Sequence, residues 1–336
     1  MHNHALASFH LLFSPARAGQ VRDALSHYRN PCDAWLALLH NNRSLGHCLK
    51  DKTRLIERGL NWLQQPGCAL IGWHQDAYPA ALRQVPSPPP FLFVKGRQEL
   101  LWAPQVAIVG TRNPSAAGAE TARYFALCLA ESGYTVTSGL ATGIDTAAHE
   151  GAMQHGTTVA ALATGPDLVF PASNEALYAR ISQAGVIITE HAPGVPALRS
   201  HFPARNRLIA GLSQGTLVIE AAIRSGALIT ARLAAELGKE VMAVPGSIHN
   251  PVASGCHQLI REGAHLVAMP EEVAQILALS SQNPHLPQMP FAHTAPNHGT
   301  LVANPGELNG TQQQVWQALG HDSVAIDTLC LRTGLT

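Results

Sequence analysis

The middle of the chain is a succession of short, unbroken apolar runs: 106–109 (VAIV), 134–137 (YTVT), 158–163 (TVAALA), 186–189 (VIIT), 216–219 (TLVI), 241–244 (VMAV) and 265–268 (HLVA). Aliphatic and β-branched runs with little polar alternation are the pattern of strands buried on both faces. Between most of them lie Ala-rich stretches with helical apolar spacing, such as 118–131 and 227–237. Strands alternating with helices predict a parallel sheet covered on both sides. Residues 100–278 are therefore expected to form a doubly wound, Rossmann-like α/β core.

On either side the period changes. The stretches 33–40 (DAWLALLH) and 52–63 (KTRLIERGLNWL) carry helical spacing, and residues 1–66 are expected to be a small helical module. Segment 67–99 holds Asp76-Ala77-Tyr78-Pro79 and then the proline-dense stretch from Pro86 to Pro90, which predicts a stiff, extended connector. Residues 279–306 have no period and much Pro, Asn and His, the composition of a linker. Residues 307–336 read as one helix and then a second beginning near Ile326. Two helices do not bury a core alone, so this stretch is expected to be the opening of a third small domain, incomplete here.

Composition narrows the function classes. With 46% apolar and 13% charged residues the chain can build a large core, and a mostly disordered protein is excluded. Aromatics are 5%, so that core is aliphatic. The 22 basic and 22 acidic residues cancel, which excludes a binder held by bulk positive charge and makes any anion site local. The basic residues are 18 Arg and 4 Lys, and Arg suits bidentate phosphate contacts. No window of 18 uninterrupted apolar residues predicts a membrane span. The six cysteines form no CxxC pair and read as reduced thiols of a cytoplasmic protein. Residues 5–13 are mildly apolar and precede Ala16-Arg17-Ala18, but no Lys or Arg comes before the run, and Ser8 and His10 interrupt it. A secretory signal is not expected. The 18 His show no HExxH spacing, and no metal site is expected.

In a doubly wound sheet the ligand crevice lies beyond the carboxyl ends of the strands. Gly110-Thr111-Arg112 follows the first run, and Ser138-Gly139 through Gly143-Ile144-Asp145 follows the second. After the fourth comes a long loop ending in Phe202-Pro203-Ala204-Arg205-Asn206-Arg207. Glu220, then Ser225-Gly226 through Thr230, follows the fifth, and Pro245-Gly246-Ser247 the sixth. Glycine lets backbone N–H groups approach a phosphate, each following helix points its positive end at it, and Ser, Thr and Arg add donors. Anion binding is the chemistry these loops share; the blander reading is that each Gly only makes a tight turn. There is no GxGxxG and no GxxxxGK[ST], which disfavours a dinucleotide oxidoreductase and a P-loop ATPase, and no cofactor is expected. Asp145 and His149, four apart on one helix, are a possible acid–base pair, with helix capping as the alternative. Glu220 follows a buried strand and offers a base, with a structural acceptor as the favoured reading, and Ser138 lacks a nucleophile-elbow pattern.

The strings 138–149 (SGLATGIDTAAH), 201–207 (HFPARNR), 225–231 (SGALITA), 245–248 (PGSI) and 259–264 (LIREGA), in this order, resemble the DNA-processing protein A family (DprA/Smf). That resemblance implies a Rossmann-like core, a small N-terminal helical module and a C-terminal winged-helix-like domain. It implies a protein that binds single-stranded DNA, shields it and helps load the recombinase RecA in natural transformation, working as a homodimer and not known as an enzyme. The DNA-binding residues it implies are Gly110, Thr111, Arg112, Ser138, Gly139, Arg199, Phe202, Arg205, Asn206, Arg207, Ser225 and Gly226; the loop reading adds Gly143 and Thr230. Phe202 beside arginines would offer a stacking face next to positive charge; a Phe before Pro is otherwise a common core anchor. The rival is a nucleotide-monophosphate phosphoribohydrolase, whose PGGxGTxxE loop is matched here only by Ser225-Gly226-Ala227-Leu228-Ile229-Thr230, without Gly-Gly and without the trailing Glu.

Overall fold

The computed structural model describes residues 2–280, 309–319 and 326–335. Its centre is a nine-stranded sheet formed by β1 (Cys68–Gly72), β2 (Phe91–Gly96), β3 (Gln105–Gly110), β4 (Thr135–Ser138), β5 (Thr158–Ala161), β6 (Val186–Thr189), β7 (Gly215–Ile219), β8 (Glu240–Ala243) and β9 (His265–Leu266). The order across the sheet is β1-β2-β6-β5-β4-β3-β7-β8-β9. From β6 to β9 every neighbouring pair is parallel. The chain walks outward from β3 to β6 and then returns to lay β7 on the other side of β3. The reversal puts a topological switch point between the carboxyl ends of β3 and β7, where open α/β sheets hold ligands.

Four helices precede the sheet: α1 (His2–Phe13), α2 (Ala18–Tyr28), α3 (Pro31–Asn41) and α4 (Thr53–Leu63). Those that follow are α5 (Ala116–Glu131), α6 (Ile144–Ala152), α7 (Glu175–Ala184), α8 (His201–Leu212), α9 (Gly226–Glu236), α10 (Ser254–Arg261), α11 (Pro270–Ser280), α12 (Gly310–Leu319) and α13 (Ile326–Thr333). The period of two along each strand sends successive side chains to opposite faces. Val106 and Ile108 of β3 pack with Phe125, Leu129, Ala148 and Leu277 of α5, α6 and α11. Ala107 and Val109 face Leu208, Leu212, Leu228 and Leu259 of α8, α9 and α10. The layers are thus helix–sheet–helix, and the aliphatic composition supplies both interfaces.

Segment 67–99 is more than a connector. β2 runs antiparallel to β6, pairing Val94 with Ile188, and β1 runs antiparallel to β2, pairing Leu70 with Phe93. Ile71, Leu82, Leu92 and Val94 belong to the same core as α8 and α9. The prolines lie in the loop between the two strands, where Pro88 and Pro89 carbonyls accept from Arg22 (2.7 Å) and the Tyr78 hydroxyl (2.8 Å). The N-terminal helices share this extension: Leu11, Leu25 and Trp35 pack with Phe91, and Phe9 and Trp62 with Phe93. Apart from residues 279 and 280, which end α11, the linker expected at 279–306 lies outside the described residues. Among the described residues no helix is long and apolar enough to cross a membrane.

Candidate nucleic-acid interface

The turn after β3 is built by close approach. A Cβ on Gly110 would stand 2.0 Å from the Ile219 carbonyl oxygen and 2.5 Å from the Ile144 side chain, so only glycine lets β3 and β7 end together here. The Thr111 N–H donates to the Glu220 carbonyl (2.7 Å), and the Thr111 carbonyl accepts from Ile144 N–H (3.1 Å). Gly143, at φ 81°, lies against this turn; a Cβ there would meet the Thr111 carbonyl at 2.4 Å. Gly143 therefore fixes the Thr111–Arg112 turn. Ser138 is likewise internal: its hydroxyl donates to the Ile108 carbonyl (2.7 Å).

The string read as the end of a long loop is the start of helix α8, which begins at His201. Proline at its third position is tolerated because first-turn N–H groups have no intrahelical acceptor. Helical geometry then sorts the side chains. Phe202, Arg205, Asn206 and Ile209, spaced three and four apart, share a face and line one cleft. Arg207 lies outside that wall and pairs its guanidinium with Glu190 at 2.5 Å. Arg207 thus stands apart from the cleft wall as the ion-pair partner of Glu190. Arg199, in the turn before α8, is exposed and is also absent from the cleft wall.

Arg205 is only 5% exposed. Its Nη1 donates to the carbonyls of Gly139 and Ala161, both at 2.5 Å, tying the ends of β4 and β5 together. A Cβ on Gly139 would fall 2.3 Å from that guanidinium, which explains the glycine. Burial pulls Arg205 down to about 10, against the favourable field of Asp145. The Asp145 carboxylate accepts from the N–H groups of Gly139 (3.2 Å) and Ala141 (3.3 Å), and burial raises its pKa in spite of Arg205 and these donors. His149 accepts from Leu140 N–H at Nε2 (3.3 Å), while its Nδ1 meets the Thr158 hydroxyl at 2.7 Å. That hydroxyl gives its own proton to the Val136 carbonyl, so Nδ1–H is the donor and the ring is neutral. Asp145 and His149 brace the loop after β4; with both ring nitrogens engaged, His149 is no general base.

The buried imidazole carries a stability consequence. Burial, helped by the Arg205 charge, lowers His149 to about 3, from 6.5. Between those values the unfolded chain binds a proton that the native one does not, so stability rises with pH there and is level above 6.5. His149 alone should cost about 2 kcal/mol on going from pH 7 to pH 5. Asp145, whose pKa is raised, acts in the opposite sense, so the difference between parent and His149→Gln isolates the histidine. Urea unfolding at the two pH values should show a smaller acid loss in the variant; equal losses would remove His149 as the cause.

The cleft has a volume of 390 Å³ at the carboxyl edge, on the α8–α9 side of the switch point. One wall is Gly110, Thr111 and Arg112; another is Phe202, Arg205 and Asn206; the third is Ser225, Gly226 and Thr230 at the start of α9. Ser225 caps that helix, its hydroxyl accepting from Ala227 N–H at 3.2 Å. Gly226 faces open space, since a Cβ there would touch nothing within 4 Å. The positive end of α9 thus opens onto the cleft at the exposed Gly226, with the Ala227 N–H already taken by the Ser225 cap. The Arg112 guanidinium lies over the Phe202 ring at 5.3 Å, and Phe170 meets Phe202 edge-on at 5.5 Å. A second hollow of 140 Å³ continues from the first, lined by Arg112, Gly139, Phe170, Phe202 and Arg205 among others.

Phe202 is half-buried and belongs to no buried apolar cluster among the described residues, so it is a rim aromatic and not a core anchor. Sequence reasoning missed Arg224, Ile229 and Phe170. Arg224 stands immediately before the helix-capping Ser225 and was open to recognition from that spacing. Phe170 lies in an irregular segment with no local signal.

A family model described as DNA recombination-mediator protein A matches residues 69–278, and one described as the DprA winged helix domain matches 300–336. Protein Smf of Escherichia coli is 45% identical over 224 residues, covering 66% of this chain and 60% of the relative. DNA processing protein DprA of Streptococcus pneumoniae is 45% identical over 199 residues, covering 59% of this chain and 70% of the relative. The X-ray structure of the Streptococcus pneumoniae protein superposes with a TM-score of 0.71 at 36% identity, over 81% of this chain and 97% of that one. A Helicobacter pylori DNA processing protein A, described for its single-stranded DNA binding mode, superposes with a TM-score of 0.58 at 27% identity, over 63% and 96% of the two chains. With a doubly wound core spanning the matched region and its glycine and arginine strings in place, the chain belongs to the DNA recombination-mediator protein A (DprA/Smf) family.

Proposed function

We propose that this chain binds single-stranded DNA in the cleft between α8 and α9, as a non-enzymatic mediator that shields the strand and passes it to a RecA-type recombinase, acting as a homodimer. The observation that carries the reading is the juxtaposition of Arg112, the half-buried Phe202 ring and the exposed Gly226 at the N-terminus of α9 around one cleft. A helix end and guanidinium groups hold phosphates, and an aromatic face accepts any base. Backbone and stacking contacts read no base edges, so single strands should be preferred over duplex with little sequence preference. Among the described residues lining this cleft, Asp145 is the one carboxylate, and it is held by the Gly139 and Ala141 amides. That arrangement supports a binding site over a hydrolase.

Titration of a labelled oligothymidine across salt tests the proposal. With four to six phosphates neutralised, log K should fall with log salt at a slope of roughly −3 to −4. Affinity independent of salt, or equal affinity for a blunt duplex of the same length, would reject it.

A further inference from the structure

A second and larger cleft, 510 Å³, opens on the other side of the same switch point, between the start of α5 and the loop after β8. Its position is the one in which a Rossmann fold usually seats a phosphate, at the N-terminus of the helix after the first parallel strand. Its charge is opposite to that of the DNA cleft. Among the described residues lining it there is no Lys or Arg, and its floor is the side chain of Glu220. One Glu220 carboxylate oxygen accepts from the Ser115 N–H (2.8 Å); the other accepts from the Ser115 hydroxyl (2.5 Å) and the Asn250 amide (3.3 Å). Gly118 makes room for it: a Cβ there would stand 2.3 Å from the carboxylate. Glu220 is also held in the left-handed region, at φ 49°, an uncommon state for a residue with a side chain.

We propose that Glu220 is a specificity-determining residue: its carboxylate occupies the anion seat at the start of α5, keeps phosphates out of the larger cleft and so confines the strand to the α8–α9 side. Charge and geometry both support this. The carboxylate sits on the donors a phosphate would use, and it repels a second anion. The backbone cost of the left-handed conformation is borne at a residue that links the two clefts, because the Glu220 carbonyl also accepts from Thr111 N–H in the turn bearing Arg112. The inference rests on the DNA-cleft reading only for the route of the strand; the exclusion of anions from α5 stands separately.

The test uses the full chain and inorganic pyrophosphate, followed by amide chemical shifts. In the parent, pyrophosphate should shift the amides of Ser225–Ala227 and leave Ser115–Gly118 unmoved. Glu220→Gly removes the side chain at a position whose φ suits glycine, and it should shift Ser115–Gly118 on addition of pyrophosphate, with at least tenfold tighter binding there than in the parent. Glu220→Gln, which retains most of the volume, should gain less. A folded Glu220→Gly protein, judged by its melting temperature, whose Ser115–Gly118 amides stay unmoved would overturn the proposal, as would a parent in which they respond. A parent whose Ser225–Ala227 amides do not respond would instead count against the DNA cleft and leave the Glu220 comparison intact.

Discussion

A Gly226→Glu protein should fold as the parent does and bind single-stranded DNA at least about 100-fold more weakly. The position is open space, so the new side chain displaces nothing. It places a carboxylate at the N-terminus of α9, where the helix field stabilises it and the capping Ser225 is undisturbed. The same carboxylate takes the seat of a phosphate and repels its neighbours. Losing a charge-assisted contact and adding like-charge repulsion together amount to about 3 kcal/mol, which is two decades in affinity. Gly110 supplies the contrast: Gly110→Ala should fail to fold stably, because its Cβ would collide with the Ile219 carbonyl. Melting curves beside fluorescence anisotropy with a labelled oligothymidine check both. Unchanged affinity in a folded Gly226→Glu protein would mean the strand does not pass the end of α9.

Arg112→Ala and Phe202→Ala should each weaken binding, by different physics. Arg112 projects from the turn after β3 into both hollows of the site and is exposed, so its removal costs contact and little stability. A charge-assisted phosphate contact is worth about 1.5–3 kcal/mol, and its loss should flatten the salt slope by about 0.7. Phe202→Ala should cost about 1–3 kcal/mol through lost base stacking and leave the salt slope as it was. Since Phe202 lies outside the buried clusters, its melting temperature should change little. The two side chains touch, so the double variant should lose less than the sum. Arg199→Ala should cost less than about 1 kcal/mol, as an exposed charge off the cleft wall. A Phe202→Ala protein with parental affinity and a lowered melting temperature would assign the ring to packing.

The parallel strands β3 to β7 were legible because each is an apolar run between helical stretches, and burial on both faces demands that pattern. β1 and β2 were not, because Leu70–Gly72 and Phe91–Val94 are short and flank prolines; β2 owes its identity to pairing with β6, nearly a hundred residues away in the chain, and β1 to pairing with β2. The loops of the site were legible from glycine. Their roles were not, since glycine serves close packing at Gly110, Gly139 and Gly143 and open access at Gly226, and only the surrounding atoms tell these apart. Reading HFPARNR as a loop hid the helical phase that sends Arg205 and Arg207 apart. With that phase applied, spacing alone puts Phe202, Arg205 and Asn206 on one face. Arg205 lines the cleft and its buried guanidinium also knits two strand ends together, a second role the motif does not reveal.

The most direct measurement is ultraviolet crosslinking of an oligothymidine carrying 5-iodouracil, with the modified peptides mapped by mass spectrometry. Base stacking at the rim requires adducts on Phe202 or Phe170 and on the segment 224–230 that opens α9. Adducts confined to 245–251 beside the Glu220 cleft, or to the C-terminal helices α12 and α13, would contradict the placement of the strand between α8 and α9.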